Sequence, residues 1–242
     1  MQQSPDSSRL LTVLTWIAVA LLLALPLAVL MVRAGFWQQG LLLYAISCLA
    51  AAIVLLLFVL LLALPKYRQR KRQTGLGVLL ALPGTLLFLS VLATRGDYPP
   101  IHDITTDLSD PPVFTHAPSL RGPDSNTLAV KPDTLGVQRE AYPELESLRS
   151  GRTANNAYRH ALGVAAELGW DIVWQDPESG YIEAVDSTAI MAFKDDIAIR
   201  VRAAAEGSVI DLRSVSRVGV GDIGANARRI RAFIAAFNER GN

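Results

Sequence analysis

The chain has 242 residues, 51% of them hydrophobic, with 23 Lys and Arg against 22 Asp and Glu, and that near-neutral average hides two unlike parts. Before residue 95 there are seven cations and one acid; after it there are sixteen cations and twenty-one acids. An acidic domain excludes nucleic acid as the expected partner, because phosphates need clustered cations, and Cys48, the single cysteine, excludes an internal disulfide or a zinc cluster.

The first elements are apolar runs. Leu10 to Val32 is uninterrupted and far longer than the core of a signal peptide, so it reads as an uncleaved anchor helix over about residues 10–32, kinked at Pro26. Leu41 to Leu64 is a second span and Leu76 to Ala93, broken by Pro83-Gly84, a third, taken as 41–64 and 76–94. Roughly 20 apolar residues cross a bilayer, so each run suffices. Between the last two lies PKYRQRKRQ, Pro65 to Gln73, with Lys66, Arg68, Arg70, Lys71 and Arg72 and no acid. Short cationic loops stay on the cytoplasmic side. The N-terminus is therefore expected inside and everything after the third span, to Asn242, outside. No Asp, Glu, Lys, Arg or His lies within the three spans, which favours an anchor over a transport path.

Residues 95–152 are rich in Pro, Asp, Ser and Thr and show no clear period. A free linker is poor in large apolar residues. This segment contains Ile101, Ile104, Leu108, Val113, Phe114, Leu120 and Leu135, which favours an ordered acidic arm lying on the domain. From Tyr98 to about Phe114 the arm is expected to fold back, with Asp103, Asp107 and Asp110 meeting some of Arg200, Arg213, Arg217 and Arg229.

Residues 153–242 carry the sharpest pattern. Thr153 caps a helix whose apolar positions Tyr158, Ala161, Leu162, Ala165 and Leu168 recur at helical spacing until Gly169. Trp170, Ile172 and Trp174 then alternate, and pairing Ile172 with Ile182 makes a hairpin. Ile197, Ile199 and Val201 face inward on a third strand, Glu206-Gly207 turns the chain, and Ile210 and Leu212 face inward on a fourth. Ile223, Ala227, Ile230, Ile234 and Phe237 mark a final helix. The predicted fold is thus three membrane helices followed by an α+β domain. The domain is an antiparallel four-stranded sheet with two helices on one face, a two-layer sandwich.

The stretches IHDITTDLSDPP, AYPEL, GWDIVWQDPESGYIEA, FKDDIAIRVR and DLRSVSRVGVGDIGANARRIRAF together resemble domain-of-unknown-function family 1499, over about residues 98–240. The resemblance implies a protein of a kind often attached to bacterial membranes. It carries no activity, ligand or catalytic residue.

Three constellations are candidates for chemistry. His102, Asp103, Asp107 and Asp110 suggest a base or a metal site. As a calcium loop the stretch fails, since Phe114 stands where the bidentate acid belongs; turn-capping by Asp and Thr is the plainer role. On the outer face of the last hairpin, alternation places Asp196, Arg200 and Arg202 beside Asp211, Arg213 and Arg217. Guanidinium forks there suit a small anionic ligand, and a charge-paired face is the plainer alternative. Gly219, Gly221 and Gly224 have dinucleotide-loop spacing, but Asp222 sits at the mouth and the sheet is antiparallel, so Asp222 reads as a helix cap.

No cofactor motif, nucleophile motif or metal cluster stands out, and nothing requires an enzyme. The leading expectation is a polytopic membrane protein of the cell envelope, in the inner membrane of a Gram-negative cell, displaying a periplasmic or extracellular domain for ligand or partner binding. The candidate binding residues are His102, Asp103, Asp107, Asp196, Arg200, Arg213 and Arg217. The expected partners are the lipid bilayer, other envelope proteins or a small anion. The alternatives are an envelope hydrolase using His102 with Asp103 or Asp107, and an accessory subunit of a membrane complex.

Overall fold

In a computed structural model the protein is described over residues 5–94, 96 and 98–239, and it divides into two compact units. Arg95 and Asn242, the predicted edges of the second part, lie outside the described residues.

The first unit is three helices: α1 (Pro5–Arg33), α2 (Trp37–Ala63) and α3 (Lys71–Ala93). Each is long and apolar enough to cross a membrane. Large apolar side chains such as Leu23, Leu56 and Leu79 are more than half exposed on the outside of the bundle. Water disfavours such a surface, and hydrocarbon matches it. The interior is narrow, built from Leu11, Leu14, Ala18, Val54, Phe58, Tyr67 and Ala81. Pro26 and Pro83 both lie inside helices. The basic connection is tighter than the predicted loop. Pro65–Arg70 winds a 3-10 turn and α3 already starts at Lys71. The buried face of α3 is made of small residues, Thr74, Gly77, Ala81, Gly84 and Thr85. A Cβ on Gly77 would lie 2.1 Å from the Phe58 ring, so the missing side chain is what seats that ring.

The second unit holds β1 (Asp103–Thr105), α4 (Pro132–Ala141), β2 (Leu148–Ser150), α5 (Ala154–Glu167), β3 (Asp171–Asp176), β4 (Tyr181–Ser187), β5 (Lys194–Ala204), β6 (Gly207–Ser216) and α6 (Ala225–Glu239). From α5 onward the order is the predicted one. Thr153 accepts a hydrogen bond from the Asn156 N–H, and Gly169 takes a φ of +79° where α5 stops. The sheet, however, has six strands and not four. Its order is β1-β6-β5-β4-β3, with β2 also on β6, and every pairing is antiparallel. The two additional strands are three residues each and come from the arm. Segments that short show no period of their own. The free edge of β6 imposes their conformation.

The first hairpin also departs from the predicted register. Ile172 pairs with Ala184, and Ile182 pairs with Gln175. A bulge between Ile172 and Trp174 inserts one residue, so Trp174 opposes Glu183 and turns to the opposite face from Ile172. At the other end of β4, Gly180 takes a φ of +73°, and a Cβ there would lie 2.2 Å from the Val201 carbonyl oxygen. Only glycine permits this approach, across which the Val201 N–H donates to the Gly180 carbonyl at 2.8 Å.

Helices α5 and α6 lie on one face of the sheet. Ile182, Ala184, Ile197, Ile199, Ile210 and Leu212 meet Ala161, Val164, Ile230 and Phe233 in one apolar core. Trp170 stacks on Phe233 with ring centroids 5.6 Å apart. Ile101 and Ile104 from the arm join this core. The predicted two-layer sandwich is incomplete, because the arm forms a third layer over the opposite face.

Candidate functional site

Alternation along β4, β5 and β6 puts Glu183, Asp196, Arg200, Asp211 and Arg213 on the face away from the helices. An antiparallel sheet often leaves such a face to water. Here Glu183, Asp196 and Asp211 have no exposed surface and Arg213 has 1%. Charges this deep must be paired, and the arm supplies the partners.

Arg213 donates from Nε to Asp103 Oδ1 at 2.9 Å and from Nη2 to Asp103 Oδ2 at 2.7 Å. The same guanidinium donates to the carbonyls of Pro112 and Leu128, and the Phe114 ring lies 5.3 Å from its carbon. Arg200 donates to Asp107 at 3.1 Å, to Asp110 at 2.8 Å and to Asp211 at 3.1 Å. Arg202 reaches Asp211 at 2.7 Å and Asp107 at 3.2 Å. Asp196 accepts from Arg217 Nη2 at 2.7 Å and from Arg121, and Arg217 also donates to the Leu120 carbonyl. Glu183 accepts the backbone N–H groups of Thr115, His116 and Ala117, at 2.6, 3.0 and 2.7 Å, and the Thr115 hydroxyl at 2.8 Å. Together these side chains strap residues 103–128 to the sheet at several points.

These contacts set the proton affinities. Burial pushes the Asp107 carboxyl up, but hydrogen bonds from the backbones of Asp110 and Ser109 and the charges of Arg200 and Arg202 outweigh it, so the net shift is downward. Burial likewise works against the Arg200 charge, and its bond to Asp211 leads the causes that leave its pKa raised.

The edge strands are held by side chains that imitate a neighbouring strand. The Gln138 amide, fully buried, accepts the Thr105 N–H at 3.0 Å and donates to the Thr105 carbonyl at 2.6 Å. Thr106 fills the gap between β1 and β2: its N–H donates to the Leu212 carbonyl and its hydroxyl accepts the Leu212 N–H at 2.8 Å.

A second buried polar cluster lies where α6 starts. Asp222 accepts the Gly224 and Asn226 N–H groups, which is the predicted cap. Arg229 donates to Asp195 at 2.6 Å, to Asp186 at 2.8 Å and to Ser214 at 3.0 Å. Asn226 bridges the Ser216 hydroxyl and the His102 carbonyl, both at 3.0 Å. Burial pushes the Asp195 carboxyl up, with Arg229 opposing.

Between the arm and the connection from α4 to β2 lies an open cleft of about 460 Å³. Leu108 and Pro143 give it apolar walls, Thr106, Ser109 and Tyr142 polar ones, and Arg139, Glu146 and Arg149 line it as well. Neither arginine nor Glu146 has an ion-pair or hydrogen-bond partner among the described residues. Tyr142 is 7% exposed and its hydroxyl has no hydrogen-bond partner among the described residues. Burial raises its pKa. An unpaired buried hydroxyl costs about 1–3 kcal/mol.

The candidates read from the sequence therefore separate. Asp103, Asp107, Asp196, Arg200, Arg213 and Arg217 gather in the layer under the arm, occupied by one another. His102 stands apart. Its Nδ1 lies 3.1 Å from the Val220 carbonyl oxygen, while Asp103, the next residue, points to Arg213 on the other side. Adjacent residues at a strand diverge, so a His102–Asp103 dyad does not form. Among the described residues no three His, Cys, Asp or Glu side chains group to hold a metal ion. Sequence reasoning missed Glu183, Arg121, Gln138 and the cleft. Glu183 carried a signal: it alternates with the inward Ile182 and Ala184, and an acid there has no reason to be buried until something covers it.

The family model described as a protein of unknown function, DUF1499, matches residues 103–237. That match begins at β1 and ends in α6, so it takes in the strapped arm together with the sheet. No curated protein matches the chain.

Proposed function

The chain belongs to the DUF1499 family of proteins of unknown function, and from that premise we propose that it is a multi-pass protein of the cell envelope that holds its α+β unit outside the cytoplasm to bind a ligand or partner. The observation that carries this reading is three long apolar helices among the described residues, with cations collected around the connection between the second and the third. Lys66, Arg68 and Arg70 lie between α2 and α3, and Lys71 and Arg72 open α3, with no acid among them. The positive-inside rule keeps that connection in the cytoplasm and sends the chain after α3 outward. In a Gram-negative cell this is the inner membrane and the periplasm. A binding role is supported by the division of charge in the α+β unit. Its buried ions hold the arm, while the cleft stays open with unpaired cations on its wall.

The test is a pair of C-terminal fusions in intact cells. A phosphatase that needs export should be active, and a fluorescent protein that folds only in the cytoplasm should be dark. The reverse pattern overturns the envelope placement.

A further inference from the structure

We infer that the cleft between residues 106–109 and the α4–β2 connection is an anion-binding site, in which Arg139 and Arg149 hold the carboxylate or phosphate group of a small organic ligand. This rests on the binding role proposed above and gives it a site and a ligand class.

The argument starts from how the unit uses its arginines. Arg121, Arg200, Arg213 and Arg217 are each held by a carboxylate of the chain itself. Arg139 and Arg149 line the cleft and have no partner among the described residues. A guanidinium left free at a concave surface offers its fork to an external oxyanion. Both residues stand on anchored backbone. Arg139 follows Gln138, which is bound to both backbone groups of Thr105, and Arg149 sits in β2 opposite Val209. The backbone that carries the two forks is thus fixed before a ligand arrives, which lowers the cost of ordering the site.

The rest of the lining narrows the class. The cleft has the volume of a small-molecule site. Leu108 and Pro143 favour a ligand with an apolar portion beside its charge. Asp107 is neutralised by Arg200 and Arg202, whereas Glu146 is unpaired and reduces the positive field. That composition suits one or two negative charges and disfavours a polyanion. An alkyl carboxylate, an alkyl phosphate and the headgroup of an anionic lipid share this chemistry.

The experiment uses the full chain in a nonionic detergent, with thermal unfolding followed by tryptophan fluorescence at fixed ionic strength. The probes are hexanoate, hexyl phosphate, uncharged hexanol, and micelles doped with phosphatidylglycerol. The expected result is a saturable rise in Tm with at least one anionic probe and none with hexanol. Arg139→Gln/Arg149→Gln should weaken that binding at least tenfold and leave the unliganded Tm unchanged, because neither side chain has an internal bond. Glu146→Gln should tighten it. A response to the free anions assigns a soluble ligand, and a response confined to doped micelles assigns a lipid headgroup. The inference is overturned if no anionic probe shifts Tm, or if the double variant binds like the wild type. It then fails alone when the fusion reporters still place the unit outside; saturable binding with reversed reporters keeps the site and removes the envelope placement.

Discussion

Arg213 and Asp103 are 110 residues apart in sequence and meet through two parallel hydrogen bonds of 2.9 and 2.7 Å, with Arg213 1% exposed. Because β1 pairs Thr105 with Arg213, the two are diagonal neighbours across a strand pair. Removing one partner of such a pair strands the other charge in a dry layer, which costs about 3–5 kcal/mol. Asp103→Ala should therefore lower the unfolding free energy of the full chain in detergent by that order, read as a fall in the unfolding midpoint. Adding Arg213→Ala should cost less than the sum of the single changes, because the pair is lost only once. Additive losses would show that the contact contributes nothing to holding the arm.

Acid should loosen the arm at Asp107. Its folded pKa lies below the unfolded value of about 3.9. The stability it contributes is fully present above that unfolded value and is lost as pH falls through the folded one. Amide protection across residues 106–110, taken relative to each amide's intrinsic exchange rate, should fall as pH drops below about 4. Asp107→Asn should show fast exchange at neutral pH and lose this pH dependence. Asp195 acts with the opposite sign. Burial raises its pKa, so its contribution is fully present below the unfolded value and disappears as pH rises through the raised one.

Much of this was legible in the sequence, and the misses share one cause. Ile197, Ile199 and Val201 against Ile210 and Leu212 announced a hairpin with one apolar face. The same alternation placed Asp196, Arg200, Asp211 and Arg213 together on the other. Both patterns are local. The arm carboxylates that Arg200 and Arg213 meet lie 90 or more positions away; that distance leaves no periodic trace, and the expected meeting of Asp103, Asp107 and Asp110 with these arginines was readable from charge and the apolar residues of the arm alone. The three-residue strands β1 and β2 are invisible for the same reason. They are strands because β6 has a free edge, and Asp103-Ile104-Thr105 alone carries no such instruction. Trp174 misled because a one-residue bulge reverses every later side chain. The apolar residues of the arm were a sound signal, since Ile101 and Ile104 are buried in the core.

Glu183 should be the least replaceable acid in the strapping layer. It takes three backbone N–H groups and one hydroxyl from Thr115, His116 and Ala117, and it has no exposed surface. Gln keeps the shape but presents an NH₂ to donors, leaving at least one N–H facing another donor. Charge-assisted bonds of this kind are worth about 1.5–3 kcal/mol each. Glu183→Gln should therefore lower the midpoint markedly, and amide exchange should rise first at 115–117. If exchange there stays slow, the turn at Ala117–Leu120 is held by something other than this carboxylate.

In the helical unit the decisive contact is between Gly77 and Phe58. A Cβ at Gly77 would fall 2.1 Å from Cζ of a ring that has no exposed surface. The ring belongs to the buried cluster with Leu11, Leu14, Val54 and Ala81, so it has no easy retreat. Helices in hydrocarbon associate through close packing, without the hydrophobic drive available in water. Losing this fit should cost more than a surface change. Gly77→Ala should lower the temperature at which the bundle dissociates in detergent, read by loss of helical ellipticity or of proximity between labels on α2 and α3. The clash is with the far end of the ring, so trimming the ring should relieve it. Phe58→Leu alone opens a void and destabilises. Combined with Gly77→Ala, it should recover part of the loss. Equal damage in the double and single variants would mean that Gly77 is small for a reason other than the Phe58 ring.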